Sequence, residues 1–410
     1  MKEALAGWDL LRDPQVRTVF AALDAEAGAT RIVGGAVRDA LLGRSVADAD
    51  FATILPPNEV VARCEAAGLK TVPTGIEHGT VTVVAEGRPF EVTTLRRDVE
   101  TDGRRAVVAF TTDWNEDAAR RDLTINALYC DAEGEVFDPL DGLSDLKAGR
   151  VRFIGDAEAR IREDYLRILR FFRFFAWYGS GRPDADGLKA CARLKSGIAT
   201  LSAERVWAEL KRLLAAPQPG RALLWMRTTE ALQKALPESW GIDAVHRLVA
   251  AEKAEGWEPD ALLRLEAILP PHRARMDALA ERLRLSRSEA VRLVAWANAP
   301  EPDPDMPESD LARALYRVGE GGETGVADRL KHALARALDN GHDQAADAFR
   351  RLLGQAWAWR RPVFPVSGRD LVARGIEPGP AVGERLRELE ERWADSGFSL
   401  TKEKMLGDSS

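Results

Sequence analysis

A chain of 410 residues with 45% hydrophobic content is too long for one ordinary core and apolar enough to fold, so two to four domains are expected. Its net charge of -7 at pH 7 excludes a general polyanion-coating protein, although a local basic groove would still serve a nucleic-acid enzyme. No stretch approaches the ~20 apolar residues of a membrane helix, and the N-terminal turns are acidic rather than signal-like, so a cytoplasmic protein with no membrane partner is expected.

In chain order, "TRIVGG" (30–35) reads as a short strand, "AVRDALLG" as a helix and "DADFAT" (48–53) as a strand. "NEVVARCEAAGL" repeats its apolar residues at three and four, a helical period. "GTVTVVAEGRPFEVTTL" holds two β-rich runs around Glu86-Gly87, which reads as a hairpin. "LTINALYCD" and "EVFDPLDG" read as a last strand pair. From about residue 155 helical periodicity takes over, as in "DAEARIREDYLRILRFFRFFAWYG", "SAERVWAELKRLLAA", "RALLWMRTTEALQKAL" and "SRSEAVRLVAWAN". "PEPDPDMPESD" (300–310) is a proline-rich acidic joint. The tail stretch "GRDLVARGIEPGPAVGERL" reads as helix, Gly/Pro turn and helix. An α/β head followed by an all-α remainder is the expected architecture.

Cys64, Cys130 and Cys191 lie far apart with no CxxC and read as buried thiols. His342-Asp343 spells "HD" without the other ligands of a phosphohydrolase site and reads as surface. His78 is expected to order a turn.

Candidate chemistry begins at Asp48 and Asp50. On a strand, residues i and i+2 share a face, so two carboxylates repel unless a cation lies between them. Mg²⁺ favours such oxygen ligands, while an exposed strand with two solvated acids explains the pair equally simply. Gly34-Gly35 ends a strand and opens a helix, a geometry that offers backbone N–H groups to phosphate, and Arg38 can add a cation. Glu91 on "RPFEVTTL" would supply a third acid. Along 160–178, Glu163, Arg167 and Arg170 line one helical stripe with Asp164 and Arg173 beside it, and Leu166 and Phe174 interrupt the charge. A solvated face with i,i+4 ion pairs is the plain alternative.

"GGAVRDALLGRSVADADFAT", "PTGIEHGTVTV", "FEVTTLRRDVETDGR", "RRDLTINALYCD" and "REDYLRILRFFRFFAWYG" occur in that order. Together they closely resemble the class II tRNA nucleotidyltransferases, the CCA-adding enzymes, and the related bacterial poly(A) polymerases. The resemblance implies an α/β nucleotidyltransferase head with a small mixed sheet over 1–150, a helical neck over 151–215, a helical body over 216–300 and a helical tail over 301–410. It implies Asp48 and Asp50 as catalytic, Mg²⁺-binding residues and Glu91 as the third carboxylate. Gly35 and Arg38 match triphosphate-contacting positions, Arg121 matches another nucleotide contact, and the stretch 97–113 matches a flexible loop that acts in the switch from C to A addition. Asp164 and Arg167 match base-reading residues, leaving Arg170 and Arg173 for phosphate or base contacts.

The chemistry of base reading follows from the groups themselves. Cytosine and adenine each place an amine donor beside a ring-nitrogen acceptor, which Asp and Arg complement. Uracil and guanine reverse that pattern, a mismatch that in favourable sites supports about 10⁴-fold discrimination. The implied function is template-independent addition of CCA to tRNA 3′ ends from CTP and ATP, by a monomer whose tail contacts the tRNA elbow. The alternatives are a poly(A) polymerase, a partial CC- or A-adding enzyme, and a non-catalytic tRNA-binding module. "VPTGIEHGTVTVV" favours the CCA pattern, the loop "RRDVETDGRRAVV" argues against CC-only addition, and three retained acids argue against a dead head.

Overall fold

The computed structural model describes residues 5–24, 28–46, 48–102, 105–318 and 321–407. They form two compact units, Met1–Glu209 with Arg221–Ala235, and Leu210–Gly220 with Leu236–Ser410.

The first unit carries the sheet. Its strands are β1 (Thr30–Val33), β2 (Phe51–Thr53), β3 (Lys70–Gly75), β4 (Thr80–Ala85) and β5 (Arg88–Thr94). A separate ribbon pairs β6 (Arg96–Asp102) with β7 (Arg105–Phe110), and the sheet closes with β8 (Tyr129–Cys130) and β9 (Val136–Phe137). The sheet order is β3-β4-β5-β2-β1-β8-β9. Every described pairing is antiparallel except β2 with β5, which makes the sheet mixed. The hairpin expected at Glu86-Gly87 joins β4 to β5, both turn residues having positive φ, 48° and 84°.

One sheet face is the core. Helix Pro14–Leu23 starts on Asp13, whose side chain accepts the N–H groups of Gln15 and Val16 at 2.8 and 3.3 Å. It buries Val16, Val19, Phe20 and Leu23. Phe20, Phe51 and Phe90 then stack edge to face, with centroids 5.1 and 5.9 Å apart. On the other face Val33, Ala52, Leu95, Ala118, Ala127, Tyr129 and Ile154 form a second cluster.

Two expected helices are each divided. The stretch 221–236 breaks into Pro219–Thr228 and Ala231–Ala235 at Glu230, whose φ is 60°. The stretch 156–179 breaks into Ala157–Glu163 and Leu166–Tyr178. Thr124–Asn126, expected in a strand, is a short 3-10 turn before β8.

The second unit is helical. Ser286 and Glu289 form a capping box that starts helix Arg287–Asn298. Helices Gly322–Asp339 and Asp343–Ala358 bury Leu330, Leu334, Phe349 and Leu352 in one cluster. Tyr316, Leu371, Leu389 and Trp393 form another under the tail helices Gly368–Val372 and Pro380–Asp395. Fully buried Arg264 pairs with Glu252 at 2.6 Å and donates to the carbonyls of Leu214 and Ala216 at 2.5 and 2.6 Å. The three cysteines are buried thiols, and His342 is exposed, both as expected. Among the described residues no helix is long and apolar enough to cross a membrane.

Candidate active site

The acids sit where the sheet's second face is open. The parallel register sets Phe51 beside Val92, both buried. One residue earlier on each chain lie Asp50 and Glu91, which alternation turns to the opposite face. Glu91 is exposed between buried Phe90 and Val92. The Asp50 carbonyl accepts the Val33 N–H at 2.9 Å, so the end of β1 fixes its backbone. Strand β2 starts later than expected, at Phe51. β1 ends at Val33 and the chain turns at Gly34, leaving Asp48 with no strand partner. The shared face of the two aspartates survives, since both are exposed and Ala49 between them is buried.

Water reaches Asp50, yet the protein around it removes part of its hydration. That desolvation, then Glu91, pushes its carboxyl above the usual aspartate range; Arg121 opposes the rise and Asp48 adds to it. Among the described residues no three His, Cys, Asp or Glu side chains are already gathered around a common metal position. Asp48, Asp50 and Glu91 nevertheless supply hard oxygen donors whose repulsion a divalent cation would relieve, so they fit such a cation.

Gly34 has φ 73° and ψ -120°, a backbone that glycine adopts readily and other residues do not. Its N–H is spent on the Leu128 carbonyl at 2.9 Å, so the amides that could face a phosphate begin at Gly35, the first residue of helix Gly35–Leu41. Arg38 differs from the sequence expectation: it is turned inward and is only 6% exposed. Its Nε and Nη2 donate to Asp39 at 3.2 and 3.1 Å, Nη1 to Asn126 at 2.6 Å and Nη2 to the Tyr178 hydroxyl at 2.7 Å. Four of five N–H donors are thus engaged, and the guanidinium lies over the Tyr178 ring at 4.1 Å.

Arg121 is held by a residue that the sequence reading missed. Asp117, 1% exposed, accepts Arg121 Nε and Nη2 at 3.1 and 2.9 Å, Arg120 Nε and Nη2 at 2.8 and 2.6 Å, and the Tyr129 hydroxyl at 2.8 Å. Burial alone would raise its pKa, but Arg121, Arg120 and the Tyr129 hydroxyl outweigh that and hold it below the usual range. Arg121 Nη1 points toward Gly34, 3.9 Å from where a Cβ there would lie.

The helix break centres on Asp164, with φ -157° and ψ 109°. Its Oδ1 accepts the Leu166 N–H at 3.0 Å, which starts the second helix, and its Oδ2 accepts Arg205 at 2.6 Å. A side chain that caps the next helix competes with helical continuation, which is why one periodic stretch becomes two helices. Glu163 binds both Arg160, at 2.9 Å, and Arg167. Arg170 donates to Asp122 at 2.6 Å, and Arg173 to Glu209 at 2.5 Å. Neither arginine therefore stands apart for phosphate, as the sequence suggested. Leu166 and Phe174 are buried, and Phe174 lies beneath Arg173, Arg38 and Arg170 at 4.1, 5.1 and 5.3 Å. Phe174, one of the two apolar interruptions in the charged stripe, is thus a packing site for guanidinium faces, and none of the stripe's charged residues is fully exposed.

The structure brings Asp50, Glu91 and Asp48 together with Arg121 nearby, and joins Arg38, Arg170 and Arg173 around Phe174. Asp117, Asp122, Asn126, Tyr129, Arg205 and Glu209 went unread. The "RRD" and "N" of "RRDLTIN" were in view, but their burial depends on pairing with distant helices.

Residues 30–152 match the family model described as "Poly A polymerase head domain", and residues 183–241 match "Probable RNA and SrmB- binding site of polymerase A". The chain is 36% identical over 388 residues to the mitochondrial CCA tRNA nucleotidyltransferase 1 of Danio rerio, covering 92% of this chain and 86% of the relative. It is 32% identical over 367 residues to the CCA-adding enzyme of Leuconostoc mesenteroides, covering 87% and 86%. The crystal structure of the Bacillus stearothermophilus CCA-adding enzyme in complex with CTP superposes with TM-score 0.71 at 27% identity, covering 93% of this chain and 92% of that one.

Proposed function

Since this chain belongs to the CCA tRNA nucleotidyltransferase family, we propose that it adds C, C and A to tRNA 3′ ends without a template, from CTP and ATP, releasing pyrophosphate. The observation that carries the reading is the open sheet face where Asp50, Glu91 and Asp48 converge with the Arg121 guanidinium nearby.

Asp48 and Asp50, with Glu91 beside them, would hold a divalent cation, Mg²⁺ by its preference for oxygen ligands. When bound it neutralises charge on the triphosphate and favours ionisation of the tRNA terminal hydroxyl. Arg121 Nη1 and the amides from Gly35 onward orient the triphosphate. Arg38 organises the helix that carries those amides. Asp164 accepts the amine of C or A, and Arg167 donates to the ring nitrogen. Each Asp164 oxygen already accepts one donor here, so a base amine would use a remaining lone pair or take the place of Arg205 on Oδ2. Arg167 spends Nη1 on Glu163 and the Arg160 carbonyl, so its Nε and Nη2 are the donors that would face the base.

The β6–β7 ribbon covers most of the stretch expected to act in the switch from C to A, with residues 103–104 outside the described chain. We assign the tRNA elbow contact to the tail turn between helices Gly368–Val372 and Pro380–Asp395. Cytoplasmic placement rests on the sequence reading, since some family members are mitochondrial; cell fractionation checks it.

The test is product sequencing on tRNA lacking its 3′ end. CTP plus ATP should extend it by three residues and stop. CTP alone should give two, and ATP alone little. Long adenosine tails from ATP alone would replace this reading with a poly(A) polymerase.

A further inference from the structure

A buried polar relay crosses the first unit at a residue that no step above uses. Asn126, 7% exposed, ends the 3-10 turn Thr124–Asn126. Its Oδ1 accepts Arg38 Nη1 at 2.6 Å, and its Nδ2 donates to Asp122 Oδ1 at 3.0 Å. Asp122 Oδ2 accepts Arg170 Nε at 2.6 Å. Arg170 and Arg173 both approach Glu209, at 3.8 and 2.5 Å. At the other end, Arg38 reaches Tyr178 at the last turn of the same helix that carries Arg170. Asn126 also stands against the glycine turn, its carbonyl oxygen 3.6 Å from where a Gly34 Cβ would lie.

The chemistry leaves little choice of residue at 126. Arg38 is only a donor, and Asp122, paired with Arg170, is an ionised acceptor. The group between them must accept on one side and donate on the other. That also fixes which way the amide faces. Asp would accept from Arg38 and meet Asp122 with like charge; Lys would donate to Asp122 and meet Arg38 with like charge. A carboxamide of this length satisfies both partners.

We propose that Asn126 is a positioning residue for nucleotide selection: its two-sided carboxamide holds helix Gly35–Leu41 and helix Leu166–Tyr178 in one register, so that the groups facing the triphosphate and those facing the base act on one bound nucleotide. The inference rests on the function proposed above and deepens it. Without Asn126, Arg38 and Asp122 keep their other partners but lose the link between them. The base-facing helix then gains freedom relative to the glycine turn, and geometric discrimination suffers before chemistry does.

The experiment compares wild type, Asn126→Ala, Asn126→Asp and the double variant Asp122→Asn/Asn126→Asp on two substrates, tRNA lacking its 3′ end for the C step and tRNA ending in CC for the A step. Incorporation of CTP, ATP, UTP and GTP is measured one at a time, beside thermal melting. Asn126→Ala should lower discrimination of CTP against UTP about tenfold, the worth of a hydrogen bond to a charged group. KM for both correct nucleotides should rise more than kcat falls. Asn126→Asp should be worse, because two carboxylates then face each other. The double variant should recover part of the loss, since the amide introduced at position 122 can donate to the carboxylate introduced at position 126 while still accepting Arg170. Recovery is partial because the Leu123 N–H, now on Asp122 Oδ1 at 2.9 Å, loses its acceptor. Should Asn126→Ala not fold, the isosteric Asn126→Asp carries the same comparison. Wild-type discrimination and KM in the single variants, whatever their melting temperature, would overturn the proposal. Wild-type enzyme that adds no C and A would overturn the function and this inference together; a selective wild type with unchanged variants overturns this inference alone.

Discussion

Replacing Asp117 by Asn tests whether the buried carboxylate orients Arg121. Asp117 is 1% exposed and faces two guanidiniums, which are 15% and 21% exposed. Removing one partner of a fully buried ion pair costs about 3–5 kcal/mol. Here each arginine keeps an edge in water and the amide retains one acceptor, so about 2–3 kcal/mol is expected. For a unit of this size that corresponds to a melting shift of roughly 5–10 °C. Arg121 would then lose the bonds that aim its Nη1 at the glycine turn. If, as proposed, Arg121 meets phosphate and not base, KM for CTP and for ATP should rise together, by about tenfold each, the equivalent of one charge-assisted contact. Steady-state kinetics with each nucleotide, beside urea denaturation, measures both effects. Tyr129→Phe removes the 2.8 Å bond that the hydroxyl donates to Asp117 and the 3.1 Å bond it accepts from Arg121 Nε, and should cost about 1–2 kcal/mol with a smaller KM change. An Asp117→Asn enzyme with wild-type midpoint and wild-type KM refutes the reasoning. So does a rise for CTP without one for ATP, which would place Arg121 on the base.

Asp50→Asn should abolish transfer, by at least about 10³-fold, while circular dichroism and melting show an intact fold; chelation of divalent cations should do the same to the wild type. Arg264→Met should destabilise the second unit by about 3–5 kcal/mol in urea titration, since it strands buried Glu252 and two carbonyls. Asp164→Ala should relax discrimination against UTP and GTP in single-nucleotide incorporation, and wild-type selectivity there would refute the base-reading role. In the second unit, burial holds the Glu266 carboxyl far above its usual range, and burial with nearby cations holds the His332 imidazole down at about 3. A proton that Glu266 holds more tightly when folded and one that His332 holds more tightly when unfolded give stability slopes of opposite sign, so the wild type masks part of the His332 slope. Glu266→Gln should expose the His332 slope, its stability falling by up to about 1.4 kcal/mol per pH unit as pH drops below about 6.5. Denaturation midpoints from pH 7 to 5 that run parallel to wild type would refute the placement of that proton.

What the sequence made legible was local in origin. The hairpin at Glu86-Gly87, the Gly34 turn and the tail helix pair each depend on residues adjacent in the chain, and each forms where the pattern placed it. The Asp50–Glu91 pair was legible because strand alternation fixes a face once a register is given. The helix at 160–178 was misread because 3.6-residue periodicity continues straight through Asp164, while the break comes from a side chain choosing a cap and a distant arginine. Arg38, Arg170 and Arg173 looked like exposed cations for the same reason. Their partners, Asn126, Asp122 and Glu209, are 88, 48 and 36 residues away, and no window along the chain holds both members of any pair.

That internal pairing bears on how a template can be dispensed with. A polymerase that copies a strand lets base pairing set the donor and acceptor positions. On the function proposed above, Asp164 and Arg167 would hold those positions unaided, and the discrimination available would fall with angular freedom. A solvated helix face would leave Asp164 and Arg167 mobile, and selection would be weak. Instead each charged side chain of the stripe is tied to a second group: Glu163 to Arg160, Asp164 to Arg205, Arg170 to Asp122, Arg173 to Glu209. On the proposed function, a base at Asp164 would have to share or replace the Arg205 bond. Only a base presenting the matching pattern would satisfy the carboxylate; uracil in the same place would set a carbonyl against it. The ion pairs present without nucleotide would then act as a competitor to each incoming base, and they would raise the threshold most for the bases that cannot replace them.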